Sequence, residues 1–499
     1  MATRALSTAF LVGVLALASA AQVAADPLYG TTEIALASTT SYNAVSGSPN
    51  PFDLSLSATV TAPSGRKYTV PGFFDGNGTD GVSGNVWKVR IYTDEIGTWR
   101  WTTSGNVPGL NARSGTISVS GKLAGVFGNG PVVENPARPR SFMYKAGVPV
   151  FLTGKFLDSA APSPIKFSHT MFSEKLTDTN REALLSRHLG MSLNKINVYY
   201  ANKGDYSAVS TTPWVGTASS NNKTRFDLAR WRMYDQWILK LRDAGVVAHM
   251  WFFADDSGFG NLPDADRQRL IKYAMARHSA YVNTMYVLAL EWQEGWTTTE
   301  VASHANFLHA NNPWARLVSV HGTPGNFAFP TAVWADYMDI QAGNSAGHAA
   351  VNKNSLHHVS AAPKPHIQEE HGLGQEDTIH RQRAWAAFTG GAAGVGTGSY
   401  LKHLVGFTKQ VPWQNMNPAN ALVRSGAAYG LAQTGTAYVF YLFNGGSVSI
   451  DLTAAPGPLT VQWYDPRTGA FKTPSLVSGG GNTIFSAPTV GDWVLYIRK

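Results

Sequence analysis

The chain has 499 residues, no cysteine, 40 Lys and Arg against 32 Asp and Glu, a net charge of +8, and 15 Trp and 19 Tyr. That length exceeds one ordinary hydrophobic core and predicts two or three domains, while the lack of cysteine excludes disulfides, thiolate metal sites, a Cys nucleophile and a lipid-anchored N-terminal Cys. The modest positive excess has no dense basic run, which argues against nucleic acid as a partner. The aromatic content suits sugar rings, whose flat C–H faces stack on indoles and phenols.

Residues 1–25 read as an export leader: Arg4 supplies the charge, Ala9 to Ala18 an apolar run, and Val23, Ala24 and Ala25 a small-residue cleavage site before Asp26. The run is shorter than the roughly 20 residues that a bilayer span requires, so a secreted protein without membrane insertion is expected. Export without cysteine points to a bacterium.

Residues 26–130 predict a β-sandwich. Leu54, Leu56, Ala58 and Val60 alternate with polar residues before the turn Pro63-Ser64-Gly65. A hairpin is expected next, with Trp87, Val89 and Ile91 on one strand, a turn over Asp94 to Gly97, and Trp99 and Trp101 on the other.

Residues 131–425 alternate short apolar runs with helical stretches, the pattern of a parallel sheet covered by helices. The β-like runs are Val148 to Thr153, Lys195 to Tyr200, Val246 to Phe253, Met285 to Trp292, Leu317 to His321, Met338 to Gln341, His366 to Glu370 and Ala392 to Thr397. Leu228, Trp231, Tyr234, Ile238 and Leu241 recur at helical spacing and Gly245 ends that helix. Alternation without a GxGxxG turn or phosphate loop favours a closed (β/α)8 TIM barrel over an open doubly wound sheet. Residues 426–499 return to strands, with a turn at Asn444-Gly445-Gly446, and predict a second β-sandwich.

In such a barrel the functional side chains come from the C-terminal ends of the strands. The fourth run ends Glu291-Trp292-Gln293-Glu294-Gly295-Trp296 and the seventh ends Glu369-Glu370-His371-Gly372. Carboxylates on opposite sides of one mouth suit glycosidic cleavage by a retaining mechanism, in which one acid protonates the leaving oxygen and a second carboxylate attacks the anomeric carbon. Trp292 and Trp296 would help the acid keep its proton. On the seventh strand Ile367 shares parity with Glu369, so strand alternation assigns Glu370 to the mouth and Glu369 to the helix side, with Glu369 the alternative if the parity differs. On the fourth, Glu294 lies furthest toward the loop beside Gln293, with Glu291 as the alternative. Hydroxyl-binding candidates are Lys155, Asp158, Asn197, Tyr199, His249, Trp251, Trp292, Gln293, Trp296, His321, Gln341 and His371, with Asp255 a further mouth residue. No metal or cofactor is expected.

The residues Gln293-Glu294, and Lys364-Pro365 leading into Glu370-His371-Gly372, resemble the strand-four and strand-seven motifs of retaining barrel glycosidases, and the central region resembles the apiosidase-like glycoside hydrolases. Gln293 replaces that group's usual Asn. The resemblance implies an acid/base after strand four and a nucleophile after strand seven. Trp87 to Trp101, with Arg140, Phe142 and Gly147, resembles the β-sandwich of unknown function that precedes such barrels. Trp463 to Gly469, with Asp492-Trp493-Val494-Leu495, resembles the C-terminal collagen-binding-type β module.

Two rival readings have their own signals. His357, His358, His366 and His371 near Glu369 and Glu370 suggest a metal-dependent hydrolase or lyase, although no HExxH spacing accompanies them. A barrel held between two β domains could also serve as a non-catalytic glycan- or matrix-binding protein. A serine esterase is disfavoured because no GxSxG elbow occurs.

Overall fold

The computed structural model describes residues 25–154, 157–158, 160–202, 211–254, 262–326, 328–343, 345–371, 377–396 and 401–499. Nearly all of the export leader, together with Lys155, Asp255 and Gly372, lies outside them.

The fold is mixed α/β with several sheets. The N-terminal part is one curled seven-stranded sheet, in the order Asp26–Leu28, Ser114–Lys122, Gly97–Gly105, Leu56–Thr61, Lys67–Phe74, Ser83–Tyr92 and Thr31–Asn43. The expected hairpin does not form. Ser83–Tyr92 pairs with Thr31–Asn43 and Lys67–Phe74, whereas Gly97–Gly105 pairs with Leu56–Thr61 and Ser114–Lys122. The turn between them is held instead by Arg66, whose Nη2 reaches Asp94 at 3.1 Å and Glu95 at 2.6 Å, and by Trp99, whose indole donates to the Glu95 carbonyl. Both strands keep the expected alternation, and Trp87 and Trp99 are buried in the same core. Alternation specifies which face is inside but not which strand lies alongside.

The central part contains parallel strands β1 (Leu152–Thr153), β2 (Lys195–Ala201), β3 (Val247–Phe253), β4 (Thr284–Ala289), β5 (Val318–Ser319), β6 (Met338–Gln341), β7 (His366–Glu370) and β8 (Gly394–Val395). They form two four-stranded sheets, β1-β8-β7-β6 and β2-β3-β4-β5. The edges of these sheets meet on both sides: Asn194 N–H donates to the Thr153 carbonyl at 3.0 Å, and His321 forms a parallel bridge with Asp339. Every residue of β2 and β3 is buried, as parallel strands covered on both faces require.

Helices α1 (Asp178–Gly190), α2 (Leu228–Asp243), α3 (Asp264–His278), α4 (Thr298–Ala310), α5 (His348–Ala361), α6 (Asp377–Thr389) and α7 (Leu401–Thr408) connect or follow these strands. Local chemistry sets their ends. Asp227 caps α2 by accepting from the Ala229 and Arg230 amides, and Gly245, at φ +77°, turns the chain back toward β3. Thr177 with Asn180, and Thr297 with Glu300, form capping boxes on α1 and α4. No described helix is long and apolar enough to cross a membrane.

The C-terminal part begins pairing at Asn417–Pro418 and builds a seven-stranded sheet against a three-stranded one, Val423–Ser425, Ser447–Asp451 and Asn482–Ser486. It docks on α6 through Arg381, which holds Asp492 at 2.8 and 3.0 Å while Tyr441 donates to the same carboxylate. The Asp492 of the C-terminal motif is thus an anchor for the central helices.

The N-terminal sheet docks through charge. Asp235 on α2 accepts from Arg90 at 2.6 and 2.8 Å, from Arg277 at 2.7 and 3.0 Å, and faces His278 at 3.0 Å. The two guanidiniums hold the Asp235 carboxyl well below its ordinary range despite burial. An Asp235→Ala variant leaves both cations buried without their shared anion and is expected to lose about 3–5 kcal/mol in urea unfolding; a loss under 1 kcal/mol would show the network to be dispensable.

Candidate active site

The interior between the two parallel sheets is polar. Lys195 of β2 places its ammonium 2.7 and 2.9 Å from the two oxygens of Glu369 on β7, both side chains fully buried. Asn197 donates to Glu369 at 2.7 Å and accepts from Lys195 at 2.8 Å. Beside them, Trp251 Nε1 donates to His249 Nδ1 at 3.2 Å, and His249 Nε2 lies 2.6 Å from Tyr337 Oη, which donates to the Tyr286 carbonyl. His249 Nδ1 also lies 3.0 Å from Asn197 Oδ1, so the imidazole is packed among polar groups on both ring nitrogens and is neutral. Burial and the Lys195 charge hold His249 well below its usual pKa, in agreement.

Asp339 completes this layer. Burial, then the Glu369 charge, raise its carboxyl well above the carboxylate range, with Glu370 adding to the shift. One ammonium cannot balance three neighbouring carboxylates, so Asp339 holds its proton. His249, Asp339 and Glu369 bring ligand atoms within 4.8 Å of one another, a spacing a divalent ion could use. The Lys195 ammonium already occupies both Glu369 oxygens, however, and supplies the positive charge there. The histidine set of the metal reading does not converge with this group: His366 stacks on His358 of α5, at 5.7 Å between rings, while Glu369 points to the interior.

That arrangement reverses the parity expected for β7. Glu369 faces inward and His366 faces the helices. A register irregularity then intervenes: Ile340 pairs with Gln368, but Gln341 pairs with Glu370. The extra residue, of the kind a bulge inserts, sets Glu370 in register with Gln341, close enough for its charge to act on Asp339.

Strand β4 ends at Ala289, three residues before the run read from sequence. Glu291 takes a left-handed conformation (φ +37°, ψ 50°), unusual for a residue with a side chain and costing on the order of 1 kcal/mol or more. The kink is held by His321, whose Nδ1 faces the Glu291 amide at 3.4 Å and whose carbonyl accepts from Trp292. In this position the Glu291 carboxylate accepts from Gln341 Nε2. Gln341 therefore bonds Glu291 on one side and lies in register with Glu370 on the other.

Glu294 lies elsewhere. It sits on the short 3-10 turn Trp292–Glu294 and is exposed to solvent. Gln293 Oε1 accepts from the Thr323 amide at 3.0 Å, and Trp296 packs under Arg267 of α3 at 3.9 Å, so both serve the surrounding scaffold. Trp292 packs on Phe329. Asp158 is engaged by Arg187 at 2.7 Å. Tyr199 stacks on His169 at 4.8 Å and borders Trp251. His371 is buried, its pKa pushed down to about 3 by burial first and then by His380 and Arg383. Of the residues picked out from sequence, Glu291, His321, Gln341 and Glu370 share the strand ends, and Asn197, His249 and Trp251 line the layer beneath. Lys195, Tyr337 and Asp339 were missed, although a lysine and an aspartate inside apolar runs are the signal that would have found them.

The buried histidines make stability pH-dependent. Desolvation, the first cause in each, holds His169, His321 and His371 near 3, against an ordinary 6.5. The unfolded chain binds these protons first, so stability is complete above pH 6.5 and is lost as pH falls toward 3, at about 1.4 kcal/mol per pH unit for each histidine. Thermal melts should fall steeply below pH 6.5, and a flat melting temperature down to pH 5 would contradict the burial of these groups.

Comparison with known proteins gives two family matches and several structural ones. Residues 27–106 match the "Domain of unknown function (DUF5060)", and residues 411–498 the "Putative collagen-binding domain of a collagenase". No curated protein matches the chain in sequence. Among solved structures, a "putative glycoside hydrolase" from Bacteroides vulgatus ATCC 8482 aligns over 95% of this chain and 99% of its own, at 19% identity and a TM-score of 0.75. A protein described as "Glycoside hydrolase" covers 76% of this chain and 99% of its own, at 16% identity and a TM-score of 0.63. A glycoside hydrolase family 5 protein from the same Bacteroides strain covers 76% of this chain and 95% of its own, at 15% identity and a TM-score of 0.61. The chain thus shares its fold with glycoside hydrolases and carries a collagen-binding-like module at its C-terminal end.

Proposed function

We propose that the chain is an exported bacterial glycoside hydrolase that cleaves a poly- or oligosaccharide by a retaining mechanism, its two parallel sheets closing into a (β/α)8 barrel between an N-terminal β domain over about 26–130 and a C-terminal one. The proposal assigns Glu370 as nucleophile and Glu291, in place of the exposed Glu294, as acid/base. The observation that carries it is Gln341, which bonds the Glu291 carboxylate and lies in register with Glu370. The glycoside hydrolases sharing the fold support the reaction class, and the Lys364-Pro365 and Glu370-His371-Gly372 motifs favour the apiosidase-like group.

In this reading Glu291 protonates the departing glycosidic oxygen while the Glu370 carboxylate attacks the anomeric carbon and forms a glycosyl ester. Water then attacks that carbon, Glu291 takes the proton, and the ester bond to Glu370 breaks. Asp339, keeping its proton, adds no second negative charge beside the nucleophile. His321 and Gln341 hold Glu291 in its kinked position, and Trp251 and Tyr199 supply aromatic surface beneath.

Glu370→Gln is expected to abolish turnover with the fold intact. Glu291→Ala should lower the rate on substrates with poor leaving groups by about 10²–10⁴-fold, and far less on activated aryl glycosides, which need no proton. Glu294→Ala should stay within a few-fold of wild type on both. A crippled Glu294→Ala beside an active Glu291→Ala would return the acid role to Glu294, and wild-type rates in Glu370→Gln would remove the hydrolase reading.

A further inference from the structure

At the opposite end of the parallel strands from Glu370, the central and C-terminal parts of the chain line a cavity of about 700 Å³. Its walls come from residues 137–141 ahead of β1, residues 359–363 ahead of β7, residues 391–392 ahead of β8, the segment 413–418, and Leu431 and Gln433 of the C-terminal sheet. That volume lies within the range of about 300–1,000 Å³ typical of small-molecule sites.

The charge of the walls is one-sided. Arg138 and Arg140 line the cavity and no Asp or Glu does. Arg138 is partly occupied, donating to Asn415 at 2.9 Å and to the Ala137 carbonyl. Arg140 makes no side-chain hydrogen bond or ion pair among the described residues, and burial alone lowers its pKa, with no neighbouring acid to offset the cost. Other buried arginines have partners: Arg90 and Arg277 meet Asp235, Arg381 meets Asp492, and Arg225 and Arg316 donate to backbone carbonyls, whereas Arg140 has neither kind of partner among the described residues. A guanidinium turned into a cavity without its anion is placed to receive one from a ligand. Asn417, Gln433 and the Asn415 amide are among the other polar walls and offer hydroxyl partners, and Trp413 adds an aromatic edge.

We propose that this interdomain cavity is a second, non-catalytic binding site for a carboxylate-bearing sugar, such as a uronic acid unit of a polysaccharide. Arg140 pairs with the carboxylate and the amides with ring hydroxyls. Because the walls belong to both the central and the C-terminal parts of the chain, occupancy would also brace the C-terminal domain against the bottom of the central one. The site does not rest on the assignment of Glu291 and Glu370, which stand at the other end of the strands.

The test is calorimetric titration of the full chain with digalacturonate, a neutral digalactoside and acetate. Digalacturonate should bind wild type, with at least about tenfold weaker binding to Arg140→Gln, the loss typical of one charge-assisted hydrogen bond. Asn417→Asp, a surface change in the same wall, should weaken it as well, by adding the missing negative charge without disturbing Arg140. The neutral disaccharide should bind at least tenfold more weakly, and Glu370→Gln should bind digalacturonate as wild type does. Absence of binding to wild type, equal affinity in Arg140→Gln and Asn417→Asp, equal affinity for the neutral sugar, or loss of binding in Glu370→Gln would each overturn the proposal. Displacement by equimolar acetate would likewise overturn it, by reducing the site to one for bare carboxylates.

Discussion

The ammonium of Lys195 between the two oxygens of Glu369 is the contact that organises the interior. It spans from β2 to β7, so the two four-stranded sheets are joined by charge in the middle as well as by hydrogen bonds at their edges. Removing either partner from such a pair leaves a buried charge alone and typically costs about 3–5 kcal/mol. Everything around the pair is adjusted to it: Asn197 fills the remaining hydrogen bonds, His249 stays neutral beside the ammonium, and Asp339 keeps its proton. A layer of this kind is poorly replaced by apolar packing, because its members satisfy one another only as a set.

The same layer explains where reading the sequence succeeded and where it failed. The parallel strands were legible because helices bury one face and the opposite sheet the other, so each appears as a short, largely apolar run bounded by polar residues. The two glutamate pairs were harder, for two different local reasons. On β7, Glu369 was assigned outward because Ile367 shares its parity, yet Ile367 also faces the interior side. The irregularity then sets Glu370 in register with Gln341, and a register shift leaves no mark in a five-residue run. On β4, a strand ending at Ala289 reads in sequence as continuing to Trp292, since Leu290 and Trp292 are as apolar as the strand itself. The left-handed turn at Glu291 needs His321, thirty residues away, to hold it.

The N-terminal hairpin failed for a related reason. Trp87, Val89 and Ile91 face the same core as Trp99, so period-two alternation was correct on both strands. Which strands lie side by side is decided by contacts far apart in sequence, here Arg66 on Asp94 and Glu95, which tether the crossover. The flanking motifs, by contrast, were readable because they use local chemistry. Asp465 holds Arg467 at 2.7 Å, and that guanidinium lies over Trp493, so the Trp463 to Gly469 stretch and the Asp492-Trp493 stretch form one surface.

The charge arrangement bears on how the proposed pair of carboxylates would work. Lys195 is committed to Glu369, and Asp339, on which the Glu370 charge acts, keeps its proton, so Asp339 adds no negative charge beside Glu370. A second ionised carboxylate beside a nucleophile would raise its pKa and lower the fraction ready to attack. The Glu291 carboxylate accepts from the amide of Gln341, a neutral donor that favours the ionised form less strongly than a charge would. That suits a group which must give up a proton in one step and recover it in the next. The strained backbone at Glu291 is the cost of bringing this carboxyl to Gln341, and a residue continuing the extended strand would have carried it past the site.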